Sequence, residues 1–154
     1  MAGTVEGRLK EAGIVLPAAP HPAGNYVPVV VTGNLAVVSG QIAARDGKVA
    51  IKGRLGADVS IEQGQEAAKL CAVNILAQLK AAIGDLDRVR RCVRLAGFVA
   101  CTPDFTDQPK VMNGASDLMA LAFGEAGKHA RAAVGAPSLP LGTAVEVEAL
   151  FEIG

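Results

Sequence analysis

The chain has no tryptophan, one tyrosine and four phenylalanines. Its interior must therefore be filled by Val, Leu, Ile and Ala, a composition that suits helices packed tightly on a sheet. Charge of one sign is missing too, since fifteen basic residues balance fifteen acidic ones. Phosphate neutralisation dominates nucleic-acid affinity, so a neutral chain almost free of base-stacking aromatics gives no support for a nucleic-acid partner. One local group of Arg88, Arg90, Arg91 and Arg94 reads as a solvated strand face. No apolar run reaches the roughly 18 residues that span a bilayer. The N-terminus lacks the charged start and apolar stretch of a secretion signal, and a cytoplasmic protein without a membrane segment is expected. Cysteine is scarce: Cys71, Cys92 and Cys101 are odd in number and contain no CxxC pair. That argues against a disulfide framework and against a zinc site, and the three read as small buried hydrophobes.

What is present is an apolar fraction of 51% in 154 residues, enough for a single domain, 1–154, with a real core. Thr4 to Gly13 reads as a short helix capped by Thr4, and the Pro/Gly-rich stretch Leu16 to Gly24 as an extended loop. Strands are expected over Tyr26 to Thr32 and Leu35 to Gln41, joined tightly at Gly33-Asn34. Asp46-Gly47 marks a turn before a short strand, Lys48 to Ile51. Ser60-Ile-Glu-Gln63 is a capping box that starts a helix at Ile61. In that helix Ala68, Cys71, Ala72, Ile75, Leu79, Ala82 and Ile83 form one apolar stripe, and Gly84 ends it. A long strand (Val89 to Cys101), a second long helix (Asp107 to Ala126) and two strands (Ala130 to Gly135, Thr143 to Ile153) complete the chain. The order describes a mixed sheet with two long helices on one face. The other face then needs a cover, and association of subunits is the simplest one.

Few residues suggest chemistry by themselves. Arg131 and Glu146 lie near the starts of the last two strands; an antiparallel pair would bring them near each other only in one register. A strand-borne arginine beside free backbone N–H groups makes a two-point carboxylate clamp, but a structural ion pair across the sheet or a subunit interface explains the same spacing. Tyr26 follows the Pro/Gly-rich loop and is suited either to a pocket or to a strand edge. Ser39 has no His and acid partners placed for a triad, because His21 and His129 both fall in loops. Hydrogen bonding is the better role for it. Asn113 reads as a surface amide, and Lys128-His129 as a complement to a helix dipole.

These residues nevertheless fall in a known order. The run Tyr26-Val-Pro-Val-Val-Val-Thr-Gly-Asn-Leu-Ala-Val-Val-Ser-Gly-Gln41 resembles the first hairpin of the RidA (YjgF) family. Arg131-Ala-Ala-Val-Gly-Ala-Pro-Ser-Leu-Pro-Leu-Gly-Thr-Ala-Val-Glu-Val-Glu-Ala149 resembles its C-terminal signature. The resemblance runs from about Tyr26 to Glu152 and implies an α/β (α+β) fold of the chorismate-mutase-like, bacillary type. It implies a homotrimer with clefts between subunits. It also implies cofactor-independent hydrolysis of the reactive enamines and imines made by pyridoxal-phosphate dehydratases, giving 2-keto acids and ammonia. Arg131 would grip the substrate carboxylate and Glu146 would position or activate water; Tyr26, Ser39 and Asn113 would line the pocket. Where many relatives have cysteine, this chain has Ala133, a change harmless if that position supplies only its backbone N–H. The first 24 residues and the linker Arg54 to Ser60 exceed the compact family members. A regulatory protein that binds 2-keto acids without turnover is the competing expectation, with the family's endoribonuclease label a distant third.

Overall fold

The alternating and helical patterns of the sequence become, in a computed structural model describing residues 3–22 and 24–154, three α-helices and seven strands among the described residues. They are α1 (Thr4–Glu11), β1 (Val29–Thr32), β2 (Leu35–Ile42), β3 (Ala44–Arg45), β4 (Lys48–Val49), α2 (Ile61–Ile83), β5 (Val89–Ala100), α3 (Gln108–Phe123), β6 (Ala130–Ala136) and β7 (Val145–Ile153). Five strands form one sheet in the order β1-β2-β7-β5-β6, while β3 and β4 make a separate hairpin. Within the large sheet only β5 and β6 run parallel. α2 and α3 pack against each other and against the same sheet face. That face supplies Ala36, Val38, Leu95, Val99, Val145, Val147, Ala149, Phe151 and Ile153 to one continuous core.

Local chemistry explains the element ends. Gly33 takes φ +57° at the first central position of the β1–β2 turn while Asn34 keeps a negative φ, the pattern of a type II′ hairpin. Asp46 and Gly47 both take positive φ between β3 and β4, as a type I′ turn requires. The capping box forms: Ser60 Oγ accepts the Gln63 N–H at 3.1 Å and Gln63 Oε1 accepts the Ser60 N–H at 2.9 Å. Gly84, at φ +87°, closes α2.

Several expectations need correction. β1 starts at Val29, not Tyr26, since Pro28 has no N–H to give to the ladder. β4 ends at Val49 rather than Ile51. α3 stops at Phe123 because Gly124 turns to φ +61° and opens a 3₁₀ turn. Thr4 is not a cap; Gly3 occupies that position, and the Asp87 carboxylate instead accepts the Thr4 and Val5 N–H groups at 2.8 and 2.9 Å. The negative charge meets the positive end of the helix dipole there. In α2 the burial is much wider than one stripe, because the helix lies between the sheet and α3; Leu70, Leu76 and Ala77 are buried, whereas Ala82 is exposed. Two polar residues of that helix are buried as well. Asn74 donates to the carbonyls of Ile42 and Ala44, and Gln78 to that of Pro20, so α2 holds both the end of β2 and the loop before β1.

The most consequential correction concerns the last two strands. β6 and β7 do not pair; β5 lies between them. The face away from the helices carries Val30, Val37 and Val134, each nearly half exposed at 49%, 45% and 47%.

Candidate functional site

Arg131 sits on β6 opposite Leu95, whose neighbour across β5 is Ala149. Both partners are core residues, so alternation points Arg131 to the helix side of the sheet. There α3 meets it with one stripe: Arg131 Nη1 donates to Asn113 Oδ1 at 3.0 Å and to Ser116 Oγ at 3.1 Å, and Nη2 donates to the Pro109 carbonyl at 3.3 Å. A guanidinium has five N–H donors. Three are committed; the Nε–H and one Nη2–H have no partner among the described residues. β6 is also the free edge of the sheet. Because Ala136 turns its carbonyl inward to accept the Cys101 N–H, alternation turns the backbone groups of Arg131, Ala133 and Gly135 outward. A carboxylate approaching this edge would meet two guanidinium donors and a row of backbone N–H groups. Ala133 sends its side chain inward against the core and its N–H outward, so the backbone is what it offers a ligand.

Glu146 lies in a different row and on the other face. It stands between Ile42 and Phe98, three residues along from the Arg131 row and two strands away. Strand spacing and rise put the two Cα atoms about 14 Å apart, with side chains pointing to opposite faces. They cannot meet within one chain. A bulge between Val38 and Gln41 displaces Ser39 and Gly40 beside Glu146, and any side chain on Gly40 would overlap the Glu146 carboxylate. Burial raises the Glu146 pKa above the ordinary carboxylate value, and the nearby Glu148 raises it further. Between the ordinary value and the raised one, the folded chain keeps a proton that the unfolded chain has lost, so ionising Glu146 costs stability as pH rises through its folded pKa. Glu146→Gln is therefore expected to raise the Tm at neutral pH and flatten the decline in stability just above the usual carboxylate range. Thermal melts between about pH 4 and about pH 8 measure this; an unchanged slope would contradict it.

The predicted site residues thus form two groups. Arg131, Asn113 and the backbone of Ala133 lie at the β6 edge; Glu146 lies on the open face of β7, while Ser39, in the β2 bulge, accepts a hydrogen bond on its Oγ from the buried Gln41 amide at 3.4 Å. Tyr26 precedes β1 at the far end of the sheet and is half exposed. Concavities of about 410 and 270 Å³ lie elsewhere, and neither is lined by Arg131 or Glu146. Sequence reasoning missed Ser116, because a serine in mid-helix normally faces water. His129 meets the Gly127 carbonyl at the end of the 3₁₀ turn after α3, with Nδ1 at 2.7 Å, and adds a contact the sequence did not suggest, with Ser116 Oγ at 2.9 Å. The cysteine reading holds. Cys71, Cys92 and Cys101 are buried; burial pushes the Cys92 thiol up to about 12 and Cys71 well above its usual value. The arginine reading holds in part: Arg90, Arg91 and Arg94 are exposed on β5, with Arg94 facing Glu148 at 4.0 Å, whereas Arg88 lies in the 3₁₀ turn before β5, tied to the Ile83 and Gly154 carbonyls. No group of three or more metal-ligating side chains occurs among the described residues, and no helix there is long and apolar enough to cross a membrane.

Comparison with known proteins decides the family. Residues 6–153 match the model described as "YjgF/chorismate mutase-like, putative endoribonuclease". The chain belongs to the RidA/YjgF family. The match begins inside α1, so most of the N-terminal helix lies within the RidA/YjgF region. Protein TCP17 of Trypanosoma cruzi is 50% identical, with 99% of this chain and 96% of that protein covered. The structure of Atu1372 from Agrobacterium tumefaciens, of unknown function, is 54% identical with a TM-score of 0.92, covering 97% of this chain and 92% of that one. A Shewanella oneidensis structure carrying the same endoribonuclease label is 38% identical with a TM-score of 0.95, covering 98% and 100%. The fold is the mixed α+β, chorismate-mutase-like one that the hairpin and C-terminal motifs imply.

Proposed function

We propose that this RidA/YjgF protein assembles as a homotrimer, that its inter-subunit clefts join the Arg131 edge of one copy to the Glu146 face of the next, and that these clefts hydrolyse small 2-imino acids to 2-keto acids and ammonia. The observation that carries the reading is the pair of uncommitted donors on Arg131, held by α3 at a free strand edge. Two donors in one plane match the two oxygens of a carboxylate. Val30, Val37 and Val134 supply apolar surface for the neighbouring copy, and Glu146 on that face supplies the carboxyl that the arginine edge lacks.

The chemistry asks little of the protein. An imine carbon is already electrophilic, so water adds to it, the nitrogen takes up protons, and ammonia leaves as the carbonyl forms. Holding the carboxylate fixes the carbon in place, and a carboxyl with a raised pKa can pass the proton between water and nitrogen. Arg131 stays charged throughout. The endoribonuclease label carried by relatives draws no support from this chain, which is neutral and has a single tyrosine to stack on a base.

The test is keto-acid release from imines generated by a pyridoxal-phosphate dehydratase. Added protein is expected to speed the release severalfold. If release is unchanged while calorimetry detects saturable keto-acid binding, the protein is a carboxylate-binding regulator and the catalytic reading fails.

A further inference from the structure

Beyond the residues that meet a ligand, the β6 edge contains a hydrogen-bonded chain that has one allowed direction when the His129 ring is neutral. His129 Nδ1 lies 2.7 Å from the Gly127 carbonyl. A carbonyl can only accept, so Nδ1 carries the proton. In the neutral ring Nε2 is then an acceptor, and it lies 2.9 Å from Ser116 Oγ. The hydroxyl must therefore give its only proton to His129, which leaves the Ser116 oxygen lone pairs for the Arg131 Nη1–H at 3.1 Å.

We infer that Ser116 and His129 are positioning residues, a relay that turns an acceptor toward Arg131 and so fixes the plane in which its guanidinium receives a carboxylate. This rests on the reading that Arg131 binds the substrate carboxylate. Three features support it. A hydroxyl without the imidazole could rotate its proton toward the guanidinium, whereas one locked by Nε2 cannot. His129 stands one residue before β6 and two before Arg131, its ring 2.9 Å from Ser116 Oγ, and Ser116 follows Asn113 by three on one helix, so Asn113 and Ser116 face the same side chain. Finally, Asn113 Oδ1 and Ser116 Oγ both bind Nη1 while the Pro109 carbonyl binds Nη2, so α3 fixes both terminal nitrogens and leaves the Nε–H and one Nη2–H uncommitted. Orientation of a binding group by a partner behind it is a general device, for imidazoles and guanidinium groups alike.

The experiment uses the full oligomeric chain with 2-ketobutyrate as the calorimetric probe, and keto-acid release as the kinetic one. Ser116→Ala and His129→Gln are each expected to weaken binding about tenfold, through KM rather than kcat, because each loosens one charge-assisted hydrogen bond. Ser116→Thr keeps the hydroxyl and is expected to recover most of the binding. The double variant should be no weaker than the worse single one, since both act on the same bond. Nitrogen-15 spectra of the imidazole in alkaline buffer should show a proton on His129 Nδ1. A proton on Nε2 instead would overturn the relay whatever the kinetics show. If Ser116→Ala and His129→Gln bind like the parent while Arg131→Ala does not, the relay is wrong and the clamp stands. Undiminished binding by Arg131→Ala would sink the clamp itself.

Discussion

Arg131→Ala is expected to lower kcat/KM for dehydratase-coupled keto-acid release by about a hundredfold or more, with the oligomer intact and the Tm little changed. The size follows from what the proposed clamp would lose: a two-point, charge-assisted contact in an inter-subunit cleft would contribute roughly 3–4 kcal/mol to binding and orientation. The small effect on folding follows from where Arg131 sits. It is partly exposed at a sheet edge, and its partners Asn113 and Pro109 border solvent, so water can replace the guanidinium. Arg131→Lys should recover only a fraction of the loss, because an ammonium is a point charge and cannot reproduce the fork. Steady-state kinetics, with sedimentation as the check on assembly, decide the matter. Equal rates for the parent and Arg131→Ala would rule out the clamp.

Phe151→Ala is expected to cost about 3–5 kcal/mol of folding stability, the largest single loss available in the core. Phe151 is fully buried in β7, in the middle of the sheet, and is the largest side chain so enclosed. Its ring meets that of Phe123 edge to face, with centroids 6.0 Å apart, and so joins the C-terminal end of α3 to the central strand. Phe123, the ring in contact with it, is held at the end of α3, so filling the gap is left to the smaller side chains around it. At fixed protein concentration the Tm should fall by about 10 °C or more. A loss below about 1 kcal/mol would mean that the aliphatic core collapses around the site.

Much of this fold can be read from the sequence wherever a local rule decides the outcome. Gly33-Asn34, Asp46-Gly47 and the Ser60–Gln63 capping box each depend on a few consecutive residues, and all three form as expected. What escaped was decided at long range. Nothing near Thr4 says that Asp87, 83 residues away, caps its helix. Nothing in the last two strands says that β5 inserts between them, since pairing order depends on which strand first covers the core. For the same reason spacing alone could not decide between clamp and ion pair for Arg131. The interposed strand removes only the intrachain version of that ion pair, since Glu146 points to the opposite face. The hairpin and C-terminal motifs identified the family and its fold. They said nothing of Ser116 or His129, whose roles depend on α3 crossing β6 at one particular height.

That separation of Arg131 and Glu146 makes the central claim directly testable. Arg131→Ala and Glu146→Gln chains, each inactive alone, should regain keto-acid release when co-expressed, because a mixed oligomer contains clefts with Arg131 from one copy and Glu146 from another. Mixed oligomers that form, as native mass spectrometry would show, yet stay as inactive as their parents would contradict a site shared between subunits.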